Sequence, residues 1–340
     1  MEVAVVILNY NGKSYLEEFL PSVIEYSKEA SIYVVDNCST DDSVSFLKST
    51  YPDLLLIENE SNGGFAKGYN EGLAKIKADY YVLLNSDVEV TQNWLQPCIE
   101  LLNNNPSIAA CQPKILAQKA KSKFEHAGAA GGYLDKNFYP FCRGRIFSEV
   151  ETDEGQYNED CEVFWATGAC LFIRAELYHK LGGLDEDFFA HMEEIDLCWR
   201  LKKQGHQIYY CGASTVYHVG GGTLDYMNPK KTYLNFRNSL FMIYKNYEGP
   251  LFLKLIWRLN LDGLGAMVFL MKFQFSHIWS VFKAHLALYA NLSTLSKKRA
   301  HIKSTSGKPN MKGLYTKNIT FKKFLSGVKK FSELNSEDFK

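Results

Sequence analysis

The sequence predicts an α/β fold, a mostly parallel sheet flanked by helices, with a helical basic C-terminal extension. Three observations carry that reading. Across the first 110 residues, short runs rich in β-branched, aromatic and Leu side chains alternate with segments of helical period, as in strands joined by helical crossovers. Apolar residues make up 46% of the 340, enough for a sizeable core and incompatible with a mainly disordered chain. Charge is divided along the chain. Residues 250–332 hold 15 Lys and Arg against the single acid Asp262, so the neutral total hides an acidic body joined to a basic tail.

Taken in order, the strands are expected at Val3–Leu8, Ile32–Asp36, Leu54–Glu58, Tyr80–Leu84 and Ile108–Gln112, with helices over 13–28, 41–50, 65–77 and 91–104 between them. Ser39, Thr40 and Asp41 offer caps for the second helix, and Thr91 for the fourth. Residues 113–162, with Gly128, Gly131, Gly132 and an acidic stretch, read as irregular excursions and a mobile loop. One strand over Glu162–Arg174 follows, then a helix from Ala175, a Gly-Gly turn and a helix around Glu194–Gln204. Strands near Gln207–Cys211 and Ser214–His218 come next. Aromatic-rich helix begins at about Pro250, and beyond Lys297 the weak apolar periodicity predicts loose order.

The eight cysteines form no CxxC pair, which argues against a zinc knuckle or a disulfide scaffold and for reduced thiols in a cytoplasmic protein. The N-terminus lacks a basic n-region and a small-residue cleavage site, so it reads as a first strand rather than a signal peptide. Charges at Lys254, Arg258, Asp262, Lys272 and Lys283 interrupt the apolar C-terminal part before any run reaches the roughly 18 residues of a spanning helix.

Ligands of such a sheet bind at the carboxyl ends of its strands, so the loops after each strand are the informative ones. The first is Asn9-Tyr10-Asn11-Gly12, which lacks the G-x-G-x-x-G of a dinucleotide fold but offers amide groups and an aromatic face for a base. The second begins at Asp36, whose carboxylate suits a nucleobase N–H or a ribose hydroxyl, with Ser39 and Asp41 left to cap the helix. The third, Asn62-Gly63-Gly64-Phe65, places glycines before a helix, an arrangement suited to an anion, with Asn70 two turns in. The fourth, Asn85-Ser86-Asp87, brings one carboxylate to a strand end where magnesium or manganese bridges diphosphate oxygens. Each loop alone reads equally as a turn or a cap; together on one sheet edge they describe a nucleoside-diphosphate site.

These loops and others downstream resemble glycosyltransferase family 2, the inverting GT-A group, particularly its bacterial rhamnosyltransferase-like branch. The resemblance rests on VVILNYNG (5–12), VVDNCSTDDS (34–43), NGGFAKGYNEG (62–72), LLNSDVEV (83–90), WATGACLFIR (165–174), GGLDEDFFAHMEEIDLCWR (182–200) and VYHVGGGT (216–223), in the family's order. It implies a GT-A fold over 1–245, with a nucleotide-binding half (1–112) and an acceptor and catalytic half (113–245), followed by the extension 246–340. It also implies that Asp36 contacts the base, that Asn85-Ser86-Asp87 stands for the family's DXD motif, and that Asp87 binds Mg2+ or Mn2+. By the same resemblance His218 joins the metal or the diphosphate, and Trp165 and Gly168 line the sugar or acceptor pocket with Glu193. Tyr233 and Arg237-Asn238 match a further feature of the branch, with no chemical role assigned.

Inverting transfer needs a base for the acceptor hydroxyl. Glu193, Glu194 and Asp196 supply three carboxylates within four positions, and the helix dipole accounts for one or two of them. Family members carry Glu-Asp at 193–194, where this chain has Glu-Glu, so Glu194 is the expected base, with Glu193 and Asp196 as alternatives. The aromatic and Lys-rich residues 250–330 suit either peripheral contact with an anionic membrane or packing on the core. The expected function is transfer of a sugar, with rhamnose as the branch default, to a hydroxyl of a cell-surface, lipid-linked glycan at the inner face of the membrane. A non-catalytic nucleotide-sugar-binding protein is the alternative, and a nucleotidyltransferase ranks below both. Nucleic acid is not an expected partner, since no binding module accompanies the charge.

Overall fold

A computed structural model describes residues 1–220 and 228–340. Strand β1 (Val3–Asn9) is almost wholly buried, as a continuous β-branched run must be when helices cover both faces of a parallel sheet. It is followed by α1 (Lys13–Tyr26), β2 (Ser31–Asp36), α2 (Ser43–Thr50), β3 (Leu55–Glu58), α3 (Gly64–Leu73), β4 (Tyr80–Asn85), β5 (Val88–Val90), α4 (Leu95–Asn104) and β6 (Ile108–Ala117). Next come β7 (Ala120–Phe124), β8 (Gly132–Leu134), β9 (Pro140–Cys142), β10 (Arg145–Ile146), β11 (Glu149–Val150), β12 (Cys161–Val163), β13 (Cys170–Arg174), α5 (Ala175–Lys180), α6 (Glu193–Lys203) and β14 (Gln207–His218). Helices α7 (Pro229–Asn246), α8 (Leu251–Met271), α9 (Phe275–Ala290), α10 (Leu292–Thr305) and α11 (Ile319–Ser326) complete the chain.

The main sheet runs β12-β14-β6-β13-β4-β1-β2-β3, with β5 on β14 and β7 on β6. Strands β1 to β4 pair in parallel, as does β14 with β6, whereas β13 lies antiparallel between β4 and β6. The pleat sends alternate side chains to opposite layers. Val6 and Leu83 enter one core with Tyr69 and Trp199; Val5 and Val82 enter the other with Leu20 and Trp94. Register then sets the functional edge, because Asn9 lies opposite Asp36 and Leu8 opposite Asn85.

The second half is more regular than the sequence predicts. Residues 113–162 continue β6 to Ala117 and form β7 and a small antiparallel sheet, β11-β10-β9-β8. The expected single strand over 162–174 is two strands, β12 and β13, on different neighbours. The two strands expected over 207–218 are one, β14, with a register shift between Cys211 and Thr215 that the Gly212-Ala213 break in apolar pattern marks. The stretch after Lys297 is not loose. Leu314 bridges to Leu134, Tyr315 is buried, and Phe331 packs its ring on Tyr133 at 4.9 Å. Some of its cations are also engaged: Lys298 pairs with Asp187 at 2.6 Å and Lys323 with Glu149 at 3.0 Å.

Candidate active site

At the ends of β1 and β2 the Asp36 carboxylate is buried. It accepts hydrogen bonds from Asn9 Nδ2 at 2.9 Å, Ser39 Oγ at 2.6 Å and Ser39 N at 2.8 Å. Asp36 thus closes the turn that the sequence assigns to other caps, and a ligand would meet only its remaining lone pairs. Asn9 Oδ1 is buried with no partner. Asn11 is a scaffold: its Oδ1 accepts from Thr40 N at 2.7 Å and holds the second loop against the first. Tyr10 is exposed at 42%, leaving its ring free as a face for a base.

The third loop departs from its expected role. Gly64 N donates to Asn62 Oδ1 at 2.9 Å, and Phe65 N donates to the Phe189 carbonyl at 2.6 Å. The first N–H groups of α3 are therefore taken by the protein, not offered to an anion. Gly64, at φ +83, is required there: a Cβ would lie 2.5 Å from the Phe189 carbonyl oxygen. Asn70 does not look toward the nucleotide edge either. It donates to Leu184 O and Glu186 Oε1 and accepts from Tyr178 OH and Leu184 N, which pins the 184–186 turn. No sequence signal distinguishes the Phe65 and Asn70 clamps from ligand contacts, because their partners lie more than a hundred residues away.

Asp87 and His218 meet through strand pairing. The antiparallel pairing of β5 with β14 sets Val88 opposite His218, and Val219 N donates to Asp87 O at 3.1 Å. Asp87 Oδ1 then stands 3.2 Å from His218 Nε2, with Asn85 Nδ2 at 3.5 Å from the same nitrogen. Glu125, which the sequence reading missed, faces the other side of the ring, its Oε2 3.2 Å from His218 Nδ1. Its place between two strand segments read as irregular left it without a pattern. Gly220, at φ +70, lets the backbone pass Glu125, where a Cβ would sit 2.4 Å from Oε1. Burial alone would lower the His218 imidazole, but the Asp87 and Glu125 carboxylates outweigh it and raise it to about 10. Gly221, Gly222 and Thr223 of the same motif lie outside the described residues.

Asp87 supplies a hard oxygen and His218, once a cation takes the place of the proton its carboxylate neighbours hold there, an imidazole nitrogen, a donor set that fits magnesium or manganese when diphosphate and water complete the shell. Among the described residues no group of three or more His, Cys, Asp and Glu is arranged to hold a metal. Glu125 orients the imidazole from behind, as partners of metal-bound histidines do.

The three candidate bases separate cleanly. Asp196 is fully buried and committed: Arg200 Nε at 2.8 Å, Lys245 Nζ at 2.9 Å and Asn246 Nδ2 at 2.7 Å surround it. It ties α6 to α7 and cannot serve as the base. Glu193 is buried and Glu194 half-buried, and each has an Oε2 with no partner. Burial pushes both carboxyls up, Glu193 further because Glu194 and Asp196 lie beside it, and Glu194 to about 7. Glu194 Cβ lies 3.8 Å from the position a Cβ would take on Gly168. The next residue, Ala169, accepts the Asn85 N–H at 3.0 Å, so the Gly168-Ala169 turn lies between the base of the Glu194 side chain and the Asn85-Ser86-Asp87 edge. Phe65 closes the same corner, 3.2 Å from the Gly168 Cβ position. Trp165 differs from expectation. It is buried, its indole donates to Tyr133 O at 3.0 Å, and its ring fills the space a Gly132 side chain would occupy, so it is core and offers no polar group to a pocket.

The loop before α6 is strained. Phe189, His191 and Met192 all have left-handed backbone, at φ 64, 71 and 75. Helix α7 holds it there. Asn238, fully buried, donates through Nδ2 to the carbonyls of Phe188, Ala190 and His191 at 3.0, 2.8 and 2.7 Å. Arg237 Nη2 donates to Asp187 O and Phe188 O, and its Nε to Asn238 Oδ1. This pair, without a role in the sequence reading, positions the helix start that carries Glu193 and Glu194. Asn238→Ala leaves the Ala190 and His191 carbonyls without that donor, at about 1–3 kcal/mol each, while Phe188 O keeps Arg237 Nη2. We expect a lower Tm and turnover reduced about 10²-fold, the cost of misplacing a reacting group. Donor affinity measured on the folded fraction should be unchanged, and turnover within twofold of the parent chain would remove Asn238 from positioning.

Comparison with known proteins bears on the family and the fold. The family model for glycosyl transferase family 2 matches residues 4–182. An N-acetylglucosaminyl-diphospho-decaprenol L-rhamnosyltransferase of Mycobacterium tuberculosis is 24% identical over 229 residues, covering 63% of this chain and 75% of that protein. Among solved structures, GalNAc-T7 with UDP, GalNAc and Mn2+ superposes at TM-score 0.55 and 17% identity over 72% of this chain, which spans 48% of that one. The mannosyltransferase PcManGT of Pyrobaculum calidifontis, in complex with GDP-Man and Mn2+, superposes at TM-score 0.52 and 17% identity, covering 89% of this chain and 79% of that one. The shared architecture is the GT-A fold.

Proposed function

The chain belongs to glycosyl transferase family 2, and we propose that it moves a sugar, with inversion, from a nucleoside-diphosphate sugar to a hydroxyl of a lipid-linked cell-surface glycan. Rhamnose is the sugar we propose, following the Mycobacterium tuberculosis relative. One observation carries the catalytic reading: Glu194, a carboxyl with a buried unpartnered oxygen and a pKa raised to about 7, packs its Cβ against Gly168, whose neighbour Ala169 bonds to Asn85 at the edge that bears Asp87. A base so poised argues against a non-catalytic binding protein.

In this reading the acceptor oxygen attacks the anomeric carbon, its proton passes to the Glu194 carboxylate, and the bond to the diphosphate breaks with its electron pair leaving on the nucleotide. Asp36 and Tyr10 receive the base, and Asp87 and His218 hold a divalent cation. When bound, that cation supplies positive charge to the departing diphosphate. Residues 246–340 extend the 1–245 catalytic unit and bring it to the inner face of the membrane, where the lipid-linked acceptor lies.

The test is nucleotide release by the purified chain from a panel of UDP-, GDP- and dTDP-sugars, with Mn2+, Mg2+ or chelator, and with or without a cell lipid extract. Release that requires one donor, a divalent cation and the extract is expected. Binding of a nucleotide sugar with no release under any condition would overturn the transferase reading. The anomeric configuration of the product, read by NMR, checks inversion.

A further inference from the structure

Helix α8 is inside out. Of its described side chains only Arg258 and Asp262 are buried, while Leu264 is 56%, Met267 58% and Met271 72% exposed. The polar pair faces the body and fastens it. Asp262 takes Arg258 Nε at 2.9 Å and Tyr139 OH at 2.9 Å, and Arg258 lies 3.6 Å over the Tyr139 ring and donates to Asn137 O. Helix α9 packs His277, Ser280 and Ala284 inward, with Ser280 Oγ donating to Pro229 O of α7. Its outward face carries Phe275 at 63% and Trp279 at 56% exposure, and the turn between the helices carries Phe273 at 79%. Contiguous apolar surface on this scale is not left to water on a folded monomer.

We propose that the α8–α9 hairpin is a monotopic membrane anchor: its outward apolar face lies in one leaflet of an anionic bilayer, with Lys272 and Lys283 at the level of the headgroups. This deepens the lipid-linked reading above and rests on it for its purpose, not for its physics. Charge selects the occupant. Within residues 251–290 the only acid, Asp262, faces the body, while Lys272 and Lys283 are exposed beside the apolar face. Two copies meeting through this face would bring like charges together, whereas phosphate headgroups neutralise them. No helix among the described residues is long and apolar enough to cross a membrane, so the hairpin lies in the leaflet rather than through it. Of the basic residues beyond 297, Lys298 and Lys323 are paired with carboxylates of the body and are not free to meet headgroups. The placement has a catalytic consequence. The hairpin packs on α7, whose Arg237 and Asn238 hold the loop ahead of Glu194, so the seat in the membrane is one helix away from the base.

The full chain should float with vesicles of phosphatidylcholine mixed with phosphatidylglycerol, more weakly with phosphatidylcholine alone. Brominated lipids should quench its tryptophan emission. The double variant Phe273→Asp, Trp279→Asp alters only exposed side chains and is expected to lose roughly tenfold or more in vesicle partitioning, with unchanged nucleotide-sugar binding as proof of folding. Partitioning of the variant equal to the parent chain would overturn the proposal. So would failure of the parent chain to bind either vesicle, or a dimer in sedimentation that the double substitution dissociates. Vesicle binding needs no donor or turnover, so a silent donor panel beside normal flotation would sink the transferase reading and leave the anchor standing.

Discussion

Glu194→Gln is expected to bind the nucleotide sugar as the parent chain does and to turn it over about 10²–10⁴-fold more slowly, the range a positioned general base supplies. Gln keeps the shape of the side chain and a hydrogen-bonding carbonyl, so the Phe65–Gly168 corner is preserved and only proton acceptance is lost. The pH dependence follows from the same residue. Burial disfavours the charged carboxylate and raises Glu194 to about 7. Below that pH the group is protonated and cannot accept the acceptor's proton, so turnover rises with pH through about 7 and levels off above it. In Glu194→Gln that limb disappears along with the rate. Donor titration and the pH profile of nucleotide release, measured on both chains, decide the matter. Full activity in the variant would move the role to Glu193, whose carboxyl also ends on a buried oxygen with no partner.

The nucleotide-side strands were legible because burial on both faces forces continuous apolar runs, and the polar loops stand out against them. Asp87 and Glu194 stand out in the sequence as candidates, since a carboxylate at a strand end and an acidic helix start are local patterns. Their surroundings do not. Asp196 reads as well as Glu194 in sequence, and only the approach of Lys245 and Asn246 from α7 shows it to be structural. Phe65 and Asn70 look like nucleotide contacts until the 184–189 segment folds back onto α3 and takes their hydrogen bonds. Glu125 acquires meaning only behind His218. The inverted polarity of α8 depends on Tyr139 and Asn137, which supply the partners that let Arg258 and Asp262 turn inward. In each case the missing information is a long-range partner, which neither periodicity nor local chemistry encodes.

Asp87→Ala is expected to abolish the response of donor binding to divalent cations, leaving affinity with Mn2+ or Mg2+ at the level seen with chelator. The reasoning is one of ligand count. Asp87 and His218 are the protein groups that face one another at this edge, and the described residues offer no third to replace the carboxylate. Losing even an orienting partner around a metal costs 10–100-fold in affinity, and losing one of two protein ligands should reach at least the upper end, about 10²-fold. The fold should survive. Val219 N bonds to the Asp87 backbone carbonyl, so the β5–β14 pairing does not depend on the side chain, and His218 keeps Glu125. Calorimetric titration of the donor with and without the cation, on both chains, reads the result directly. Unchanged cation-dependent binding in Asp87→Ala would remove Asp87 from the metal and leave its carboxylate the simpler task of holding the His218 ring.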